Sequence, residues 1–210
     1  MAGQVDPQES TGRIPESELR VRLRASSVTI LGCGGLGSNV AAMLLRSGVR
    51  KLTLVDIDRV EADNMNRQLF FREQIGMPKV EALAETLLRI DPDARLTLIG
   101  DLIDVDGLPR MVAGADVIVE AVDGVDTKTL IVDVCTRDFP DTALVSASGL
   151  AGYDSANRIE TVRVADALWV VGDFESDVRE GHALLASRVM VAAAHQAHAV
   201  IRILLGLDGE

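Results

Sequence analysis

Gly32-Cys33-Gly34-Gly35-Leu36-Gly37-Ser38, directly after the apolar run 28–31, decides the fold of this chain. An apolar run followed by closely spaced glycines is typical of a buried strand that turns sharply into a helix. Such glycines let backbone N–H groups approach a phosphate, and the helix N-terminus adds favourable partial charge. A second apolar run ends at Asp56 and Asp58, and Asp56 lies where a carboxylate can bond ribose hydroxyls. The stretch predicts a nucleotide-binding half-site, with a glycine turn used only for packing as the alternative.

The remaining apolar runs predict how the sheet is built. Five runs separated by helical periods predict parallel strands at 28–31, 52–55, 96–99, 117–122 and 143–147. Helices are predicted between them at 38–47, 78–90 and 126–137. Apolar strands that alternate with amphipathic helices indicate a parallel sheet covered on both faces. The predicted fold class is therefore α/β, a doubly wound, mostly parallel, Rossmann-like sheet.

The two ends of the chain depart from this alternating pattern. Residues 1–26 predict a polar arm with a short helix at 16–24. Residues 158–164 alternate polar and apolar side chains, and together with 168–171 they predict a small antiparallel addition before a C-terminal helix. A chain of 210 residues suits one domain, which we expect to span 27–210.

Composition excludes several classes of protein. The 32 acidic residues outnumber the 21 Lys and Arg, which gives a net charge of −11 and argues against a nucleic-acid or anionic-lipid surface. The first 25 residues hold no apolar stretch of the signal-peptide type, and Cys33 and Cys135 form no metal-binding or disulfide pattern, so we expect a reducing cytoplasm. The apolar stretch 183–205 contains Arg188 and His195, which favours a buried or interface helix over a membrane span.

Polar residues that can carry chemistry are expected near the carboxyl ends of the strands, where open α/β sheets bind ligands. Lys79 lies in the first turn of a predicted helix, where a cation opposes the helix dipole unless an anion is bound nearby. This favours a lysine that faces phosphate, with a solvated surface lysine as the alternative. The other candidates are Asn64, Arg67, Gln68 and Asp123. Their alternatives are loop-local hydrogen bonds for Asn64 and Gln68, a surface ion pair for Arg67, and a turn or helix cap for Asp123.

These residues occur together in a recognisable order. The chain resembles the ThiF/MoeB/HesA adenylyltransferases, which are relatives of the ubiquitin-activating enzymes. The stretches that carry the resemblance are Gly32-Cys33-Gly34-Gly35-Leu36-Gly37-Ser38, Leu54-Val55-Asp56-Ile57-Asp58, Asn64-Met65-Asn66-Arg67-Gln68, Gly76-Met77-Pro78-Lys79-Val80-Glu81 and Glu120-Ala121-Val122-Asp123. The later stretch Ala192-Ala193-Ala194-His195-Gln196-Ala197 looks like the short ThiF-like branch, whose usual partner is the sulfur carrier of thiazole synthesis, a step of thiamine biosynthesis.

The resemblance implies an ATP-dependent enzyme with Mg²⁺. Asp56 would hold the ATP ribose, Arg67 and Lys79 the phosphates, and Asp123 the metal ion. The residues that would line the same site are Gly32, Gly34, Gly35, Gly37, Asp58, Asn64 and Gln68. The implied substrate is the C-terminal glycine carboxylate of a small ubiquitin-like, ThiS-like sulfur carrier that ends in Gly-Gly, and the implied assembly is a homodimer. An ionised carboxylate needs no general base, so catalysis reduces to positioning and charge neutralisation.

Departures from the family pattern limit what carries over. Many relatives hold structural zinc with two Cys-x-x-Cys pairs, and this chain has neither pair, so no structural zinc is expected. No cysteine follows Cys135, which puts a later thioester or acyl-disulfide step in doubt. Relatives also take an arginine from the partner subunit's N-terminal region, for which Arg13, Arg20 and Arg22 are candidates.

Three other functions remain open at the level of sequence. A related enzyme that activates a carboxylate on modified tRNA is disfavoured by the acidic composition. An NAD-dependent oxidoreductase could use the same glycines and Asp56, although hydride transfer gives no reason for Arg67, Lys79 and Asp123 to occur together. A nucleotide-binding scaffold without turnover is the third alternative.

Overall fold

The fold is built on one seven-stranded sheet. The computed structural model describes residues 14–176 and 183–207. The strands are β1 (Ser27–Leu31), β2 (Lys51–Val55), β3 (Arg95–Ile99), β4 (Val117–Glu120), β5 (Ala143–Ala147), β6 (Glu160–Ala165) and β7 (Leu168–Gly172). Their order across the sheet is β3-β2-β1-β4-β5-β7-β6. All neighbours are parallel except β6 and β7, so the carboxyl ends of six strands lie at one edge.

Helices cover both faces of this sheet. They are α1 (Glu16–Ala25), α2 (Gly35–Ser47), α3 (Lys79–Ile90), α4 (Leu108–Val112), α5 (Val125–Asp138) and α6 (Ala186–Leu204), with short 3₁₀ turns at Ala62–Asn64, Arg72–Gln74 and Ala156–Arg158. The larger core packs side chains of α2, α3 and α6 on one face, and the smaller core packs α4 and α5 on the other. The predicted doubly wound α/β class, with its antiparallel addition and C-terminal helix, is confirmed.

Several helix and strand boundaries differ from the predicted ones. β4 ends at Glu120 rather than at residue 122, because the Val122 N–H donates to the side chain of Glu120 instead of to a neighbouring strand. Pro78 precedes α3 rather than opening it. α4 was not predicted, since five residues are too few for a helical period to register, although Leu108 and Met111 are buried.

The antiparallel pair is also better integrated than the sequence predicts. β7 pairs in parallel with β5, so β7 and β6 extend the main sheet and β6 becomes its edge. α6 crosses behind this part of the sheet, where its Gln196 amide donates to the carbonyl of Glu120 at 2.9 Å. Within the described residues, no helix is both long enough and apolar enough to cross a membrane.

Candidate nucleotide-binding site

The glycine loop connects β1 to α2, and its four glycines serve two different purposes. A Cβ at Gly32, where φ is +94°, would lie 2.7 Å from the Ala121 carbonyl oxygen, and one at Gly37 would lie 1.8 Å from the Gly32 oxygen. These two positions therefore permit close packing of the loop on β4 and on itself. Gly34 and Gly35 are half-buried: Gly34 faces Gln68 of the polar loop, and Gly35 lies between Arg67 of that loop and Val189 of α6. The packing alternative thus accounts for Gly32 and Gly37, and in part for Gly35, where a Cβ would lie 3.2 Å from Val189 Cγ1.

Asp56, at the end of β2, holds the glycine loop directly. One carboxylate oxygen accepts a hydrogen bond from the Cys33 N–H at 2.7 Å, and the other accepts from the Asp58 N–H at 2.8 Å. The side chain is only 9% exposed. A carboxylate offers about four lone-pair sites, so two remain for hydroxyl donors. Asp56 therefore fixes the loop and can still bind a ribose.

Lys79 begins α3 beside the same carboxylate. Its Nζ lies 2.7 Å from Asp58 Oδ2 and 4.0 Å from Asp56 Oδ2. The lysine side chain is 9% exposed, whereas that of Asp58 is 63% exposed. The predicted alternative of a solvated surface lysine does not describe this geometry. The ammonium is held at the site by two carboxylates, one of which is free to move away.

Arg67 follows the Ala62–Asn64 turn, and its loop is fastened to the first turns of α2. Asn39 Nδ2 donates to the Arg67 carbonyl at 3.2 Å, and the Leu69 N–H donates to Ser38 Oγ at 3.1 Å. The Arg67 Cγ lies 3.4 Å from the position that a Cβ on Gly35 would take. Ser38 and Asn39 are buried, and sequence reasoning gave them no role. Two adjacent polar residues directly before the apolar stretch 40–45 of this helix were the signal.

Gln68 and Asn64 differ in whether their side-chain oxygens already accept a hydrogen bond. Gln68 Nε2 lies 3.6 Å from a Cβ position on Gly34, and Gln68 Oε1 is buried without a hydrogen-bond partner. A buried amide oxygen with no donor is costly unless a ligand or water satisfies it. Asn64 Oδ1 accepts from the Glu61 N–H at 3.1 Å, which is the loop-local bond that the sequence left open for it.

Asp123 lies in the short connection between β4 and α5. It is exposed, and its side chain makes no hydrogen bond to another described residue. The N-cap residue of α5 is Gly124, so Asp123 does not cap this helix. No three His, Cys, Asp or Glu side chains of the described residues form a metal cluster. An ion at Asp123 would therefore draw its other ligands from phosphate oxygens and water, an arrangement that Mg²⁺ commonly uses. The carboxylate fits that requirement.

A buried polar network lies beneath this connection. Glu120 is fully buried and accepts hydrogen bonds from Ser146 Oγ at 2.5 Å, from the Val122 N–H at 2.9 Å and from Lys128 Nζ. Lys128 also donates to the Ala147 carbonyl at 2.9 Å. The network joins β4, β5 and α5 at the edge of the sheet where the glycine loop lies, so it fixes the backbone from which Asp123 projects.

Both cysteines are packed side chains. Cys33 is fully buried in the larger core, and burial followed by the charge of Asp56 raises its thiol pKa well above the usual value. Cys135 is buried in the smaller core on the opposite face, and burial raises its pKa to about 11. Nucleophilic cysteines need a depressed pKa and access, so neither thiol is suited to attack a substrate.

The N-terminal arginine candidates differ in position. Arg20 is exposed and pairs with Glu16 at 2.6 Å. Arg22 pairs with Glu18 and donates to the Leu205 carbonyl at 3.1 Å, so it ties α1 to the end of α6. Arg13 lies outside the described residues.

The fold and the site together define a nucleotide-binding α/β domain whose glycine loop is surrounded by a lysine, an arginine and several carboxylates. The model of the ThiF family matches residues 7–210. The chain belongs to the ThiF family, as the sequence motifs predicted.

Individual relatives add detail to the family assignment. The chain is 31% identical over 143 residues to tRNA threonylcarbamoyladenosine dehydratase of Escherichia coli, which is 67% of this chain and 53% of that protein. It is 52% identical over 75 residues to ubiquitin-like modifier-activating enzyme 5 of Drosophila persimilis, which is 36% of this chain and 20% of that protein. The chain thus spans about half the length, or less, of these two relatives.

A solved structure supports the fold. The crystal structure of the E. coli tRNA N6-threonylcarbamoyladenosine dehydratase in complex with ATP superposes with a TM-score of 0.82 at 23% identity, covering 91% of this chain and 90% of that chain. At this identity the likeness shows that the two chains share a fold.

Proposed function

We propose that this chain is an adenylyltransferase that uses ATP to activate a carboxylate. The observation that carries the proposal is the convergence of Asp56, Arg67, Gln68 and Lys79 on one glycine loop, although they come from β2, a loop and α3. The ATP complex of the similar dehydratase supports the choice of nucleotide.

The chemistry is a substitution at phosphorus. An oxygen of the substrate carboxylate attacks the α-phosphorus of ATP, the bond from that phosphorus to the bridging oxygen breaks, and pyrophosphate leaves with the electron pair. The product is a mixed anhydride of the substrate and AMP. The attacking carboxylate is already ionised near neutral pH, so the protein has to position the groups and neutralise the charge that builds on pyrophosphate.

Each residue has a part in that task. Asp56 binds the ribose with its remaining lone pairs, and the free N–H groups of the first turn of α2 face a phosphate. Arg67 and Lys79 contact the phosphate oxygens, and Lys79 exchanges its bond to the exposed Asp58 for one to phosphate. Gln68 supplies the amide beside Gly34. Asp123 would hold Mg²⁺, and that ion would supply charge neutralisation at the phosphates.

The substrate has two candidates. The family resemblance favours the C-terminal glycine of a ubiquitin-like carrier, and the similarity to ubiquitin-like modifier-activating enzyme 5 supports that class. The similarity to tRNA threonylcarbamoyladenosine dehydratases favours a carboxylate on a modified tRNA instead. The comparisons give no support to the specific expectation of thiamine biosynthesis. We therefore propose carboxylate activation as the function and make the identity of the substrate an outcome of the assay.

The assay is ATP–pyrophosphate exchange with a carrier protein ending in Gly-Gly or with tRNA bearing a carboxylated nucleoside. We expect exchange that depends on one of the two substrates. Replacing Arg67 by Gln should lower the rate about 100-fold, the usual effect of one lost charge-stabilising donor. Arg72→Gln is the matched control, because Arg72 is an exposed arginine on the neighbouring 3₁₀ turn. ATP binding without exchange on either substrate would refute the enzymatic proposal and favour a scaffold.

The homodimer is a separate part of the proposal. Arg20 is exposed on α1 and can reach a second copy, whereas Arg22 is already bound to the end of α6. Light scattering should give twice the chain mass. If Arg20 completes the partner's site, a mixed dimer of Arg20→Gln and Arg67→Gln chains should recover activity that neither variant has alone.

A further inference from the structure

A second concave surface lies away from the glycine loop, between the edge strand β6 and the C-terminal half of α6. It encloses about 360 Å³, which is within the range of small-ligand sites. Its polar and aromatic lining consists of Thr161, Arg163, Trp169, His195, His198 and Arg202. We call this surface the β6–α6 groove.

The charge of the β6–α6 groove is opposite to that of the protein as a whole. The chain carries a net charge of −11, yet none of the residues that line the groove is acidic. Arg163 and Arg202 contribute two permanent positive charges, and His195 and His198 add further N–H donors. A cationic concavity on an acidic surface concentrates anions and excludes cations.

The two guanidinium groups are held in place without being neutralised by a described carboxylate. Arg163 lies over the Trp169 ring at 4.9 Å and donates to the Asp166 carbonyl at 2.5 Å. Arg202 donates to the Leu207 carbonyl. Each guanidinium has five N–H donors, so donors remain on both after these contacts. Fixed arginines with unused donors are typical of sites for phosphate and carboxylate.

The donors of α6 form a row along the groove. His195, His198 and Arg202 follow one another at three and four residues, so the row extends about 10 Å along the helix at a rise of about 1.5 Å per residue. Thr161 Oγ1 lies 3.1 Å from His195 Nδ1, which orients that imidazole from the facing strand. Arg163 closes the groove from β6. A row of this length can contact more than one phosphate group.

The β6–α6 groove is separate from the nucleotide-binding site. Val189 at the start of α6 contacts the glycine loop, with its Cγ1 3.2 Å from a Cβ position on Gly35. His195 and Arg202 lie further along the helix by about 9 and 20 Å, from the rise per residue. A nucleotide bound at the glycine loop therefore leaves the groove open.

We propose that the β6–α6 groove is a second anion site that binds phosphate groups. The phosphate could come from a small molecule such as pyrophosphate or from the phosphodiester backbone of RNA. The binding chemistry is the same in both cases, namely charge-assisted hydrogen bonds from Arg163 and Arg202, with the two histidines as further donors. An RNA source would give the acidic chain a local surface that its overall composition does not predict.

The chain contains a built-in probe for this site. Trp169 is the only tryptophan of the protein, and Arg163 stacks on it. Its fluorescence should change when an anion draws the guanidinium from the ring. We expect saturable changes on titration of the 210-residue protein with pyrophosphate, with a short single-stranded RNA, or with both. Which of these binds identifies the source of the phosphate.

Variants test the assignment. The double variant Arg163→Gln/Arg202→Gln should weaken binding at least about 10-fold, and for RNA it should reduce the slope of log affinity against log salt by about 1.4, the effect of two lost cations. Arg110→Gln is the matched control, since this arginine is exposed and pairs with Asp101 outside the groove. Circular dichroism checks that each variant is folded. Arg67→Gln should keep the Trp169 response, because the groove does not depend on the nucleotide site.

Three results would overturn the proposal. The first is the absence of a fluorescence change with either phosphate probe at about 1 mM. The second is unchanged affinity in the folded double variant. The third is equal or tighter binding of a poly-glutamate peptide of the same length as the RNA, which would assign the β6–α6 groove to acidic peptides.

Discussion

Replacing Asp173 by Asn should strongly destabilise the protein, although Asp173 is not itself a residue of the nucleotide site. Asp173 follows β7, and its Oδ2 pairs with Arg188 in the first turn of α6. Both side chains are 3% exposed. Oδ1 accepts from the Glu175 and Ser176 N–H groups at 3.0 and 2.9 Å and from Ser176 Oγ at 3.0 Å. The carboxylate therefore joins the end of the sheet to the start of the last helix.

The size of the effect follows from what remains after the substitution. Arg188 also donates to the carbonyls of Asp154 and Ser155, at 2.6 and 3.2 Å, while its Nε has no partner. Asn at 173 can accept hydrogen bonds but leaves the guanidinium buried without a counter-charge. Removing one partner of a buried ion pair costs about 3–5 kcal/mol. For a chain of this size that lowers Tm by roughly 6–20 °C.

A double substitution separates the effect of the buried charges on stability from the effect of side-chain packing. Asp173→Asn/Arg188→Met removes both charges, so its loss of stability should be smaller than the sum of the two single losses. The measurement is urea unfolding followed by far-UV circular dichroism for all four proteins at neutral pH. A loss below about 1 kcal/mol for Asp173→Asn would show that the pair is solvated, and the argument from burial would fail.

Acid should remove the same stabilisation from the wild-type protein. Burial opposes ionisation of Asp173, but the hydrogen bonds from Ser176, Glu175 and Arg188 outweigh it and lower the pKa of this carboxyl below its usual range. A depressed folded pKa gives stability that is present above the unfolded pKa of about 3.9 and is lost as pH falls through the folded value. The difference between wild type and Asp173→Asn should therefore shrink below about pH 4.

The same perturbation should reach the nucleotide site indirectly. Val189 follows Arg188 and contacts the glycine loop beside Gly35. A displaced first turn of α6 should raise the Kd for ATP more than it changes the exchange rate at saturation. An unchanged Kd in a destabilised Asp173→Asn protein would show that the start of α6 does not shape the loop.

Three further predictions concern packing. Gly37→Ala should cost about 3 kcal/mol or more in urea unfolding, because the new Cβ would lie 1.8 Å from a loop carbonyl, whereas Gly100→Ala meets nothing within 4 Å and should cost less than about 0.5 kcal/mol. Cys33 and Cys135 should react with a chromogenic disulfide at pH 8 only at the rate of unfolding, since burial raises both thiol pKa values; fast reaction of the native protein would contradict this. Glu120→Ala should lower the free energy of unfolding by about 2–4 kcal/mol, because the Ser146 hydroxyl and the Val122 N–H lose their buried acceptor, and a loss within about 0.5 kcal/mol would show that the network is dispensable.

The sequence was sufficient for the five parallel strands and for placing Asp56 and Lys79 near the glycine loop. Apolar runs indicate a strand whatever its neighbours are, so five strands could be predicted from one sequence, although β3 lies largely exposed. Asp56 and Lys79 could be found because each occupies a place where its charge is unusual: the end of an apolar strand and the first turn of a helix.

The residues that hold the site together were not predictable in the same way. Asn39, Glu120 and Gln196 lie inside elements whose pattern is apolar. Each has a partner far along the chain, namely the Arg67 carbonyl, the Ser146 hydroxyl and the Glu120 carbonyl, respectively. The hydrophobic periodicity of the sequence indicates which face of a helix or strand is buried. It does not indicate which groups the buried polar side chains bind. The parallel pairing of β7 with β5 was missed for a related reason, since a two-stranded hairpin reads the same whether it stands alone or extends a sheet.

The position of Lys79 links this packing to the proposed reaction. A buried ammonium is costly without a counter-charge, so the carboxylates of Asp56 and Asp58 stabilise Lys79 while no nucleotide is bound. Asp56 accepts hydrogen bonds from the Cys33 N–H of the glycine loop and from the Asp58 N–H and stays in place, whereas the Asp58 side chain is 63% exposed. An incoming phosphate can therefore displace the Asp58 side chain into solvent at small cost and bind to a lysine that is already oriented. In the proposed reaction, the exposed carboxylate of Asp58 is therefore the group that phosphate replaces.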